Sequence, residues 1–131
     1  MFGVTIMDRD PNGVLTLDLK DILRLMGREA QAAEWLVSDV EVLDGEAARE
    51  LEYLADRRLR IPGQVLVRLS EQIGQVINGC FQAYREHTDK PWIVIRAVDS
   101  SAFDIQTDSE VLVTQIRQQF KNVVDLPTGG K

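Results

Sequence analysis

The sequence predicts an α+β fold, a mainly antiparallel sheet with helices packed on one face. Residues 92–98 and 102–107 have the composition and alternation of two adjacent strands, and a helical pattern follows them. Upstream, strand-like runs and helical apolar stripes follow one another without a repeat or linker. The 131 residues, 44% of them hydrophobic, suit a single core. We therefore expect one domain over residues 1–127 and a flexible tail over residues 128–131.

The first third of the chain predicts a short hairpin and a helix. Residues 3–7 have strand character, residues 11–13 read Pro-Asn-Gly, which favours a turn, and residues 14–17 are the expected returning strand. Asp18 is predicted to cap a helix over residues 19–26, with Asp21 completing a variant of the capping box. Gly27 is expected to end this helix, and residues 28–34 are predicted to be a polar link.

The middle of the chain alternates strand and helix patterns. Residues 35–43 predict a strand, and an apolar stripe predicts a helix from residue 46 to about residue 58. The Ile-Pro-Gly sequence at residues 61–63 breaks the chain before the next amphipathic helix. From residue 77 to residue 85 the period changes to two, which indicates another strand.

The last strands have a predictable register, because a slip of one residue would reverse both faces. A loop at residues 100–102 puts Ile93, Ile95, Ala97, Phe103 and Ile105 on one face of the sheet. The strand at residues 77–85 is expected to pair with this hairpin, with Ala83 opposite Ile93. Asp108 is expected to cap a helix that includes Ile116 and Phe120. The outer face then carries Tyr84, Trp92, Val94, Arg96, Val98, Asp104 and Gln106.

The overall charge excludes some classes of partner. Fifteen basic and 21 acidic residues give a formal charge of −6, which argues against nucleic acid and against anionic membrane surfaces. The single cysteine, Cys80, cannot form an internal disulfide and fits a reducing compartment. No signal-peptide pattern or membrane-spanning run is present in the sequence. We expect a soluble cytoplasmic protein that carries no cofactor.

One motif resembles a metal site. Residues 8–16, with Asp8, Asp10, Asn12 and Gly13, resemble the first nine positions of an EF-hand calcium loop. The twelfth position, where such loops carry a bidentate Glu, is Leu19. A hairpin turn explains the same residues, so the sequence predicts no metal site.

No catalytic set is predicted. The chain has one His and one Cys, too few for a zinc site. His87 and the Ser100–Ser101 pair are expected at opposite ends of one strand, about 23 Å apart at about 3.3 Å per residue, beyond hydrogen-bonding reach.

The outer face of the sheet is the candidate site. Its residues Tyr84, Trp92, Val94, Arg96 and Val98 mix aromatic, aliphatic and Arg side chains, as protein interfaces do. Either another part of the chain covers this face, or it binds a protein partner or a second copy in a homodimer. We therefore expect a small non-enzymatic interaction module, an acidic inhibitor or immunity-type protein being one form. The alternative is a small-molecule or metal-dependent enzyme whose site is assembled from scattered residues.

Overall fold

The computed structural model describes residues 1–126, which form one sheet and a layer of helices. The seven-stranded sheet has the order β3-β2-β4-β5-β6-β1-β7, and all neighbouring strands are antiparallel. The predicted α+β class is confirmed, whereas the predicted tail at residues 128–131 lies outside the described residues. The elements are β1 (Phe2–Ile6), α1 (Leu19–Met26), α2 (Arg28–Ala32), β2 (Glu34–Val42), α3 (Glu46–Arg57), β3 (Ile61–Pro62), α4 (Gly63–Gln72), β4 (Val76–Tyr84), β5 (Ile93–Val98), β6 (Ala102–Thr107), α5 (Glu110–Gln119) and β7 (Val123–Asp125).

The core lies between the helices and one face of the sheet. Ile95 sits at its centre in β5, paired with Phe81 of β4 and Ile105 of β6. All five helices bury apolar side chains in the same cluster, among them Ile22 of α1 and Ile116 of α5. The predicted inward residues of β4, β5 and β6 are therefore confirmed. The β5–β6 loop comprises residues 99–101, one position earlier than predicted, because Val98 pairs with Ala102.

The caps of α1 follow the predicted chemistry. The Asp18 carboxylate accepts the backbone N–H of Leu19 at 2.9 Å, and the Asp18 N–H donates to the Asp21 carboxylate at 2.8 Å. The same Asp18 side chain accepts the N–H of Val76, at the start of β4, at 3.2 Å. Burial raises the pKa of Asp18 above its ordinary value, although these N–H groups oppose the shift. Gly27 ends the helix with a φ of 63°.

Several predicted elements differ from the structure. Residues 14–17 do not pair with β1, because β6 and β7 occupy both of its edges; the turn at residues 11–13 closes only a bridge between Arg9 and Leu15. Residues 28–34 are not a polar link, since α2 forms there and its Ala30 carbonyl accepts the Trp35 indole N–H at 2.9 Å. The cap of α5 is Ser109 rather than Asp108.

Candidate functional site

The sheet face opposite the core is not covered by the helices of residues 1–126. We call it the open face; it consists of the side chains of β1, β2, β4, β5, β6 and β7 that point away from the core. Tyr84, Val94 and Ala102 are buried there, yet they lie outside the core cluster in which the helices bury their apolar residues. Within residues 1–126 the helices therefore form one layer, and the open face has no helical cover.

Strand pairing arranges the open face in rows across the sheet. Its central rows follow from the pairing of successive strands. One row runs Ser38, Cys80, Arg96, Asp104, Thr5 and Val124, and the next runs Leu36, Gln82, Val94, Gln106 and Gly3.

Hydrogen bonds between neighbouring strands orient the polar side chains of these rows. The Thr5 hydroxyl donates to the Asp104 carboxylate at 2.7 Å, and the Arg96 guanidinium donates to the Gln106 side-chain oxygen at 3.3 Å. Arg96 and Asp104 lie directly opposite each other on β5 and β6, yet each has a different side-chain partner. The face therefore presents one cationic and one anionic side chain next to each other in an ordered polar surface.

The structure places four of the five predicted interface residues on or at the border of the open face. Val94 is in its centre and is only 7% exposed, flanked by Gln82 and Gln106 on the adjacent strands. Arg96 is exposed, and Val98 is 39% exposed near the end of the face. Tyr84 is at the border, where the Arg60 guanidinium lies 3.9 Å from its ring centroid.

The predicted position of Trp92 on this face is wrong. Its side chain is 3% exposed and belongs to the core cluster. Ala83 pairs with Ile93, yet its carbonyl also accepts the N–H of Trp92, so Trp92 does not continue the regular ladder of β4 and β5. The alternation of side chains between the two faces therefore begins only at Ile93. Trp92 lines a cavity of about 320 Å³ with Glu29 and other residues at α2. The guanidinium of Arg85 lies 4.6 Å from its ring centroid.

The calcium-like motif forms a turn and ties two loops together. Asp8 accepts the backbone N–H groups of Lys121 and Asn122, the latter at 2.6 Å, and Asp10 accepts that of Asn12 at 2.8 Å. Both carboxylates thus cap backbone groups. Within the described part of the chain, no group of three or more His, Cys, Asp or Glu side chains is placed to hold a metal ion.

A cavity of about 520 Å³ next to Asp8 is the other candidate site. Its ionisable residues also include Asp21 and Arg24. Asp21 accepts the N–H of Asp18, and Arg24 forms an ion pair with Glu71, donating from Nε at 2.8 Å. These charged groups therefore already have partners inside the chain, whereas general acid–base chemistry needs a group directed at a substrate.

The open face contains residues that the sequence did not reveal. Gly3 and Thr5 belong to it because β1 pairs with β6, about a hundred positions away along the chain. The only signal in the sequence was the alternation within residues 3–7, which does not identify the partner strand. In comparisons with known proteins, no family model, curated protein or solved structure matches this chain. None of the helices formed by residues 1–126 is long and apolar enough to cross a membrane.

Proposed function

We propose that this chain is a small non-enzymatic interaction protein that binds protein through the open face. The observation that carries the proposal is the one-sided arrangement of the helices, which leaves the other side of a seven-stranded sheet uncovered. That side mixes apolar residues such as Val94 and Val98 with Arg96 and ordered polar side chains. Non-obligate protein interfaces have this mixed composition.

The charge distribution supports binding rather than catalysis. Asp8 and Asp21, at the cavity next to Asp8, accept backbone N–H groups, and Arg24 there forms an ion pair with Glu71. A net charge of −6 favours a basic or neutral protein partner and disfavours nucleic acid. An acidic inhibitor or immunity-type protein that masks a basic partner is one form of this function. The cytoplasm is the proposed compartment, on the basis of the single cysteine.

Site-specific photo-crosslinking tests this function. A photoreactive amino acid is placed at Val98 on the open face, or at Val111 in α5 as the control, which is exposed on the helical side of the molecule. After irradiation in cells, we expect protein adducts from position 98 and few from position 111. Adducts are identified by mass spectrometry, and binding is then reconstituted with the purified partner. Equal yields at both positions, or no adducts at either, would contradict a binding role for the open face.

A further inference from the structure

We propose that the open face binds the open face of a second copy of this chain, about a two-fold axis parallel to the strands and between β5 and β6. This inference rests on the proposed function and names its partner. The axis divides the six strands of the row that contains Arg96 and Asp104 into two equal halves, β2-β4-β5 and β6-β1-β7. Each row is reflected about the axis, so a residue of one copy faces the residue of the second copy that lies in the same row at equal distance on the other side of the axis.

Charge complementarity is the main argument for this axis. Arg96 and Asp104 are directly opposite each other on β5 and β6, so they occupy mirrored positions. The two-fold rotation places Arg96 of each copy against Asp104 of the other, which gives two symmetric ion pairs. Within one chain Arg96 donates to Gln106 and Asp104 accepts from Thr5, and the two do not form an ion pair with each other. Opposite charges that meet in this way fix the register of an interface.

Side-chain size is also complementary across the axis. Gln82 of β4 and Gly3 of β1 occupy mirrored positions in the row that contains Val94. Val98 of β5 mirrors Ala102 of β6. In these two pairs the larger side chain meets a small residue of the second copy, whereas Val94 mirrors Gln106. Packed sheets usually lie about 10 Å apart.

The size of the face predicts a weak dimer. Six strands at about 4.8 Å spacing and rows over about five residues give a patch of roughly 25 by 17 Å, and two such patches bury on the order of 1,000 Å² in total. This area lies at the lower limit of specific interfaces, so we expect a dimer that dissociates on dilution.

Charge reversal at the two mirrored positions tests the proposal. Arg96→Asp places two like-charged pairs at the axis, and Asp104→Arg does the same with the opposite sign. Each variant alone should raise the dimer dissociation constant by at least about 100-fold. Mixed in equal amounts, the two variants should form a heterodimer, because every contact at the axis again joins opposite charges. Sedimentation equilibrium over a range of concentrations measures all three samples, and circular dichroism confirms that each variant is folded.

A matched control separates this contact from a general effect of charge. Arg49→Asp makes the same charge change on α3, where Arg49 contacts the exposed Asp44, and should leave self-association unchanged. If Asp104→Arg fails to fold, the double variant with both changes in one chain restores opposite charges and should form a dimer. A wild-type protein that is monomeric at about 1 mM, variants that dimerise like the wild type, or a mixture that stays monomeric would each overturn the proposal. If the dimer is refuted, crosslinks from position 98 to a different protein would still support the interaction function. Absence of such crosslinks would contradict the interaction function too.

Discussion

Truncating Ile95 and Val98 to Ala tests which face of β5 is the core face. Ile95 is fully buried between Phe81 and Ile105. The change to Ala removes both γ carbons and the δ carbon, which corresponds to about 2.4 kcal/mol of transfer free energy at about 0.8 kcal/mol per carbon. The cavity that remains adds to this loss, because β5 is paired on both sides and can shift little to fill it. We expect the free energy of unfolding to fall by about 3–4 kcal/mol in total. Val98→Ala, at a partly exposed position of the open face, should lower the unfolding free energy by less than about 1 kcal/mol.

Urea denaturation followed by circular dichroism measures both variants. The midpoint for Ile95→Ala should fall while the slope of the transition stays unchanged, because a change in slope would indicate an altered unfolded or native state. The measurement is made at a concentration where the wild type is monomeric, so that self-association adds no stability. If Ile95→Ala lowers the unfolding free energy by less than about 1 kcal/mol, or by no more than Val98→Ala does, the assignment of the two faces is wrong.

Three further predictions concern local structure. The pKa of Asp18 is raised in the folded state, so the folded protein holds the Asp18 proton more tightly than the unfolded chain does. The protein therefore loses stability as the pH rises from about 3.8 through the raised pKa. Asp18→Asn keeps an N-cap acceptor and should remove this part of the pH dependence of the melting temperature. Ser100 has a φ of 57°, which favours glycine, so Ser100→Gly should raise the unfolding free energy by about 1 kcal/mol in urea titrations, and a loss would contradict strain at this turn. Asp8→Ala leaves the N–H groups of Lys121 and Asn122 without their acceptor and should lower the unfolding free energy by about 1–3 kcal/mol. In calorimetry, micromolar calcium added to the wild type should give no heat of binding.

The central strands were predictable because their signal is local. Residues 93–98 are mostly β-branched, residues 102–107 alternate apolar and polar side chains, and a short connection joins the two runs. The alternation in the second run therefore fixes the inward face of both strands. The cap at Asp18 was predictable for the same reason, since the capping box lies within four consecutive residues. Trp92 was misplaced because alternation was extended one residue beyond β5, into a bend that Pro91 introduces.

Other features depend on contacts that are distant in sequence. The pairing of β1 with β6 joins segments about a hundred residues apart, and no periodicity within either strand identifies the other. The helix α2 has one fully buried residue, Ala30, and therefore lacks the apolar stripe by which a longer helix is recognised. Half of the open face comes from β6, β1 and β7, so its mirrored rows became apparent only with the complete strand order.

The burial of Val94 explains why charge reversal is a better test of the open face than substitution at its centre. Val94 is 7% exposed in the single chain, so Val94→Asp would place a carboxylate between Gln82 and Gln106 and lower the stability of the monomer as well as any dimer. Loss of association in that variant would have two explanations. The Arg96 side chain is exposed, so its replacement by Asp leaves the new carboxylate in water in the monomer, where it adds only a solvated like-charge pair with Asp104 of the adjacent strand. Restoration of the dimer by mixing two oppositely reversed variants then supports a contact between the open faces of different copies at positions 96 and 104.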